Sequence, residues 1–261
     1  MNRRESTLWA MAGLPALLLV LVPLLALANR ASAPTILKIL GQSETQQAIY
    51  LSLRTTVFAI LIVAVIGFPL AYYTAGSNSW FSRLVDTISD LPIVLPPSAA
   101  GIALLAAFGR QGWLGGPLDQ MGIQITFTSI AVVIAQAFVA LPYFVRSAVE
   151  GLRKVDPDTL SAGAMDGASP LQLAMRIFVP QCKEALLAGV LLGWARAVGE
   201  FGATLMFAGN FVGRTQTMPL AIYAGFERDL DVAISLSVVL LILAILVLVL
   251  ARLITKRGGN S

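Results

Sequence analysis

Val232-Ala-Ile-Ser-Leu-Ser-Val-Val-Leu-Leu-Ile-Leu-Ala-Ile-Leu-Val-Leu-Val-Leu250 runs for 19 residues without a charge. A helix rises 1.5 Å per residue, and a bilayer's hydrocarbon core is about 30 Å thick. This stretch therefore has the length and composition of a transmembrane helix. Moving outward along the chain, charge-free runs recur at Leu8–Ala28, Thr55–Tyr73, Leu91–Phe108 and Phe127–Val145. Ile49–Leu53 extends the second of these back past Arg54. A further apolar segment, Ala185–Asn210, encloses Arg196 and Glu200. The expected fold is all-α and polytopic: one transmembrane domain over 1–261, with six transmembrane helices. Their expected bounds are about 8–28, 49–73, 91–109, 127–145, 185–210 and 232–253.

Composition agrees. Of the 261 residues, 57% are hydrophobic and 12% charged, with mean hydropathy +0.81. Soluble domains carry roughly twice that charge. Disorder is excluded, because disordered chains are poor in apolar residues. There is no histidine, so His-based triads and His-ligated metals are excluded. Cys182 is the only cysteine, so there is no internal disulfide and no multi-cysteine metal site. Without an activating histidine it reads as a packing residue. No catalytic or metal-ligating residue is assigned. An intramembrane protease-like site is disfavoured, since no span carries two aspartates. The chain also lacks a G-x4-G-K-[ST] loop. It therefore has no phosphate cradle of that kind for ATP.

The first segment follows Arg3 and Arg4, and Ala26-Leu27-Ala28 resembles a signal-peptidase site. Signal-peptide cores are shorter, about 7–15 residues. A retained helix is expected. With the N-terminus cytoplasmic, eleven Lys and Arg fall on cytoplasmic connections and five on external ones. By the positive-inside rule both ends are cytoplasmic. The net charge of +4 then reflects topology and implies no nucleic-acid partner.

The largest polar segment is a cytoplasmic loop of about 146–184. Asp156-Pro157-Asp158 is a helix start, with Asp156 capping and Pro157 at the first position. A short helix over Thr159–Asp166 should end at Gly167. Ser169 should cap a second helix with Pro170 at its first position, and Pro180 should break it. Leu171, Leu173, Ala174, Ile177 and Phe178 make its apolar stripe. Such a pair either lies on the bilayer surface or plugs into another subunit.

The loop resembles the pattern E-A-A-x3-G-x9-I-x-L-P of permease subunits of ABC importers. Here it reads Ser161-Ala162-Gly163, Gly167 after three residues, Ile177 after nine, then Val179-Pro180. Ser161 replaces Glu, Gly163 replaces Ala and Val179 replaces Leu. Trp194–Thr204, Gly213–Tyr223, Leu91–Pro97 and Gly109–Gly115 resemble the molybdate/tungstate and sulfate permeases in particular. The resemblance implies a type I importer permease in the cytoplasmic membrane. It implies cargo that is molybdate or tungstate, with sulfate or thiosulfate as the alternative. Ser161, Ala162, Gly163, Asp166, Gly167, Ile177 and Pro180 would be the ATPase-coupling residues. Implied partners are an ABC ATPase dimer, an external oxyanion-binding protein, a second copy of this chain and the lipid bilayer. ATP and Mg would sit on the ATPase, with no cofactor in this subunit.

Within the spans, Pro92, Pro96 and Pro97 interrupt the third segment. Broken backbone at membrane depth must be buried in protein or line a watery cavity. This region either lines the pathway or kinks to pack. Arg196 and Glu200 share one helix face, four residues apart. They either guide an anion or neutralise one another. With Asn210 at the outer end of that segment, these six residues form the candidate pathway or gate. Gly199, Gly202 and Gly209 are expected to allow close helix contact across a dimer interface.

Overall fold

The computed structural model describes residues 3–77 and 79–258. The side chains of Arg3, Arg4, Lys256 and Arg257, counted in the charge bias, lie outside the described residues. Helix α1 (Arg3–Arg30) continues through Pro15 and Pro23 and leans on the last helix, with Leu14, Leu17, Leu18 and Leu19 exposed. The Ser32 hydroxyl caps α2 (Ala33–Leu40). Helix α3 (Ser43–Gly76) is 34 residues long, about 51 Å at 1.5 Å per residue. The chain then turns into α4 (Trp80–Ser89), α5 (Leu91–Val94) and α6 (Pro97–Phe108), and α7 (Gly115–Gln120) follows at the far end.

Helix α8 (Ser129–Leu152) is the axis of the bundle, packed between α3 and its successor α12 (Lys183–Val198). Between α8 and α12 stand α9 (Pro157–Met165), α10 (Pro170–Leu173), a π turn (Ala174–Phe178) and α11 (Val179–Gln181). After α12 come α13 (Gly202–Ala208), α14 (Met218–Arg228) and α15 (Leu230–Gly258).

Lipid offers no hydrophobic force between helices, so they associate by close packing of small residues. Helix α8 supplies these: Ala131, Ala135, Ala140 and Ala148 are fully buried. Ser147 Oγ also donates to the Ala185 carbonyl at 2.7 Å, tying α8 to α12. The opposite faces are apolar and exposed, as with Val65 and Ile66 of α3 and Ile245 and Leu248 of α15. In water such a belt would be an aggregation hazard. Against acyl chains it is the expected surface.

Among the described residues, four helices are long and apolar enough to cross a membrane: Ala12–Arg30, Ser43–Gly76, Ser129–Leu152 and Leu230–Ile254. Two sharply bent helix pairs join them in apolar character. Trp80–Val94 meets Pro97–Phe108 at 117°, and Pro170–Gln181 meets Lys183–Val198 at 80°. The segment expected as one helix over 91–109 is thus α5, a break, then α6. The reason is local. Leu95 and Pro96 each precede a proline, which pushes a residue out of the helical region. They sit at ψ 131° and 137°. The segment expected over 185–210 is likewise two helices, interrupted at Gly199-Glu200-Phe201.

Candidate functional site

The candidate residues gather in two features: the α9–α11 hairpin at one end of the bundle, and a crossing of broken helices inside it. In the hairpin, Asp156 Oδ1 accepts from Asp158 N–H at 2.9 Å and starts α9. Gly167 has φ +82°, a left-handed conformation that only glycine adopts freely. No neighbouring atom lies within 4 Å of where its Cβ would be, so geometry and not space requires glycine. Ser169 and Gln172 form a reciprocal capping box that starts the second arm.

Gly163 is where the two arms touch. A Cβ there would meet Ile177 Cδ1 at 2.8 Å and Leu173 Cδ2 at 2.9 Å. Its smallness serves contact within the hairpin. Ser161, Ala162, Ala164 and Asp166 are exposed on α9, and the Asp166 N–H closes the helix on the Ala162 carbonyl at 3.0 Å. Of the expected apolar stripe, Ala174 is buried and Leu173, Ile177 and Phe178 are half-buried, while Leu171 points outward. With Met165 and Met175 it leaves three large apolar side chains more than half exposed on the hairpin.

Pro180 does not break the second arm, which continues to Gln181. A proline ring normally clashes with the carbonyl four residues back. Here the preceding turn is a π turn, with Val179 N–H bonded to the Ala174 carbonyl, and its wider ring accommodates the proline. The bend falls instead at Cys182. Burial pushes the Cys182 thiol above its usual pKa, and Sγ donates to the Phe178 carbonyl at 2.9 Å. Its role is packing.

Inside the bundle, α6 and α13 cross almost without side chains between them. A Cβ on Gly202 would lie 2.5 Å from Pro97 Cβ, and one on Gly101 would lie 2.9 Å from the Ala203 carbonyl oxygen. Gly202 therefore makes a close contact within the chain, to Pro97. Gly209 has φ +73° and caps α13. Glu200 is 1% exposed and sits in the α12–α13 break. Its Oε2 lies 2.7 Å from Arg196 Nη2, and its Oε1 accepts from Ala203 N–H at 2.8 Å. The carboxylate both neutralises Arg196 and caps α13, so the pair forms. Pro97 meets the same break through Gly202. Pro92 lies in α5 and Pro96 in the α5–α6 break. Asn210 is elsewhere, in the turn beyond α13, where its Oδ1 accepts from Gln216 Nε2 at 3.0 Å.

The sequence did not point to three polar features. Arg146 of α8 donates Nε and Nη2 to the two Asp90 carboxylate oxygens at 2.7 and 2.6 Å. Trp194 Nε1 donates to Thr56 Oγ1 at 3.0 Å, linking α12 to α3. Gln136, fully buried on α8, has no hydrogen-bond partner among the described residues. Only Asp90 and Arg146 carried a signal: opposite charges at the same end of neighbouring apolar runs.

Residues 65–257 match the family described as binding-protein-dependent transport system inner membrane component. The chain belongs to that family. As a transport component it is 39% identical to the molybdenum transport system permease protein of Mycobacterium tuberculosis over 221 residues, 85% of this chain and 84% of that one. It is 32% identical to the sulfate transport system permease protein of Synechococcus elongatus over 192 residues, 74% and 67% of the two chains. Among solved structures it resembles a bacterial alginate ABC transporter in complex with an alginate pentasaccharide-bound periplasmic protein. That TM-score is 0.70, with 14% identity, covering 99% of this chain and 97% of that one. At that identity the likeness concerns the fold: a type I importer permease.

Proposed function

We propose that two copies of this chain form the membrane pathway of an ATP-driven importer for molybdate or tungstate. A separate ATPase dimer docks on the α9–α11 hairpin and supplies ATP and Mg. An external binding protein delivers the oxyanion to the opposite end of the bundle. The hairpin end and both chain termini face the cytoplasm, and the membrane is the cytoplasmic (inner) one. The observation that carries the cargo assignment is the 39% identity to a molybdenum permease across most of both chains. Sulfate or thiosulfate is the second reading, favoured by the 32% identity to a sulfate permease.

The residues support a division of labour. The exposed Met165, Leu171 and Met175 form the apolar contact for the ATPase, and Gly167 sets the hairpin angle. The α6–α13 crossing responds to hairpin movement as a rigid-body element. Arg196 is held by Glu200, which stops it from trapping the passing anion. The test is uptake into proteoliposomes holding this chain, its ATPase and its binding protein, with labelled molybdate, tungstate and sulfate in competition. Saturable, ATP-dependent uptake of molybdate or tungstate in preference to sulfate is expected. Preference for sulfate would move the assignment to the second reading, and uptake of none would overturn it.

A further inference from the structure

We infer that the Asp90–Arg146 ion pair is a positioning clamp that carries movement of the hairpin to the broken α5–α6 span. The inference rests on the ATP-driven reading above. Asp90 is where α4 ends and α5 begins, five residues before the Leu95–Pro96 break. Arg146 is on α8, which continues helically to Leu152 and then leads to the hairpin. The pair spans 56 residues of sequence, with Nε–Oδ1 at 2.7 Å and Nη2–Oδ2 at 2.6 Å. This is the two-pronged guanidinium–carboxylate geometry, which fixes orientation as well as distance. Asp86, one turn earlier on α4, adds negative field at the same guanidinium.

The clamp matters because the other side-chain contacts of α4 go to α3 and not to α8: the Ser82 hydroxyl donates to the Thr74 carbonyl at 3.4 Å, and Phe81 meets Tyr73 edge-on. In α4 only Ser82 and Ser89 are buried, and in α5 no residue is. Ile88, Leu91 and Val94 are all exposed, Val94 at 80%. Apolar packing therefore does not lock the elbow onto α8. Beyond the break, α6 is packed firmly against α13. The α4–α6 arm is thus anchored at its far half by tight packing, and at its near half the Asp90–Arg146 pair joins it to α8. A shift of the inner end of α8 reaches the break through Arg146. Lysine cannot replace it, because a single ammonium lacks the planar fork.

The test uses the complete transporter in proteoliposomes, with uptake and ATP hydrolysis measured together. Arg146→Lys and Asp90→Asn should each lower oxyanion transported per ATP by about ten-fold, the scale of one charged hydrogen bond. ATP hydrolysis itself should stay within about two-fold of wild type, which a general loss of structure would not permit. The exchanged pair Asp90→Arg/Arg146→Asp should recover most of the lost coupling. If Asp90→Asn does not assemble with the ATPase, Arg146→Lys, which keeps the charge, is read in the same way. Unchanged transport per ATP in Arg146→Lys overturns the inference, as does a parallel fall of uptake and hydrolysis. A wild-type complex that hydrolyses ATP without importing any oxyanion overturns the functional reading itself, a result seen before any variant is made.

Discussion

Glu200 offers the sharpest perturbation of the broken-span crossing. Its carboxylate is 1% exposed and makes two bonds, to Arg196 Nη2 at 2.7 Å and from Ala203 N–H at 2.8 Å. Glu200→Gln keeps an acceptor for Ala203 but removes the carboxylate's charge, so the Ala203 bond becomes neutral and Arg196 loses its counter-ion. A hydrogen bond to a charged group contributes ~1.5–3 kcal/mol against ~0.5–1.5 for a neutral one, so the change costs roughly 1–1.5 kcal/mol per bond. Arg196 is partly exposed, and solvent screens its share, which sets the total at about 2 kcal/mol. Glu200→Ala loses both bonds and leaves Arg196 unpaired, a cost of about 3–5 kcal/mol. Equilibrium unfolding in mixed micelles, followed by tryptophan fluorescence, measures both. In a double-mutant cycle, Arg196→Ala/Glu200→Ala should cost less than the sum of its parts. Glu200→Gln within about 0.5 kcal/mol of wild type, the usual scatter for inert sites, would refute the claim that this carboxylate holds the start of α13.

Gly202→Leu should destabilise the chain by at least 1–3 kcal/mol, the usual overpacking cost, because the added Cβ meets the stiff Pro97 ring at 2.5 Å; the same unfolding assay checks it. Gly167→Val places a β-branched residue at φ +82°, and should cost about 1–3 kcal/mol locally. Its readout is faster hydrogen exchange in α9 together with lower uptake per ATP, with the membrane helices unaffected. Cys182, buried and with its thiol pKa raised, carries little thiolate at pH 7–8. Maleimide should therefore label it slowly in micelles and readily after unfolding.

The sequence revealed much of this fold because a membrane imposes a coarse rule that composition exposes directly. The apolar run at 232–250 became part of α15, and the loop signals at Asp156, Gly167 and Ser169 placed both arms of the hairpin. What escaped hydropathy was the exact place of the helix breaks. Hydropathy averages over a window, so it passed across the breaks at Leu95–Pro96 and Gly199–Phe201 as if each segment were one rod. The cause of the first break was visible as consecutive prolines. The second depends on a carboxylate folding back on a backbone N–H three residues ahead, which no hydropathy window sees.

Proline and glycine also have neighbours that spacing alone does not name. Pro180 looked like a helix terminator, but a π turn absorbs its ring, and that hydrogen-bond shift has no one-residue signature. Gly202 was expected as a site of close approach, and Gly163 is another. Their neighbours, Pro97 and Ile177, lie in the same chain, and spacing alone does not say which surface fills the gap. The Asp90–Arg146 pair follows the same logic. Its charges stand at the same end of neighbouring apolar runs, but that placement alone does not say that they touch.

The docking of the motor on the hairpin is the claim on which the rest depends. Because Cys182 is buried and is the only native cysteine, Leu171→Cys provides a single accessible thiol on the exposed hairpin face. A short thiol-to-amine cross-linker is applied to the assembled transporter, with and without ATP. The account predicts a covalent adduct between this chain and the ATPase subunit, with a yield that changes with nucleotide. An intact complex in which Leu171→Cys is freely alkylated and never cross-links to the ATPase would contradict it.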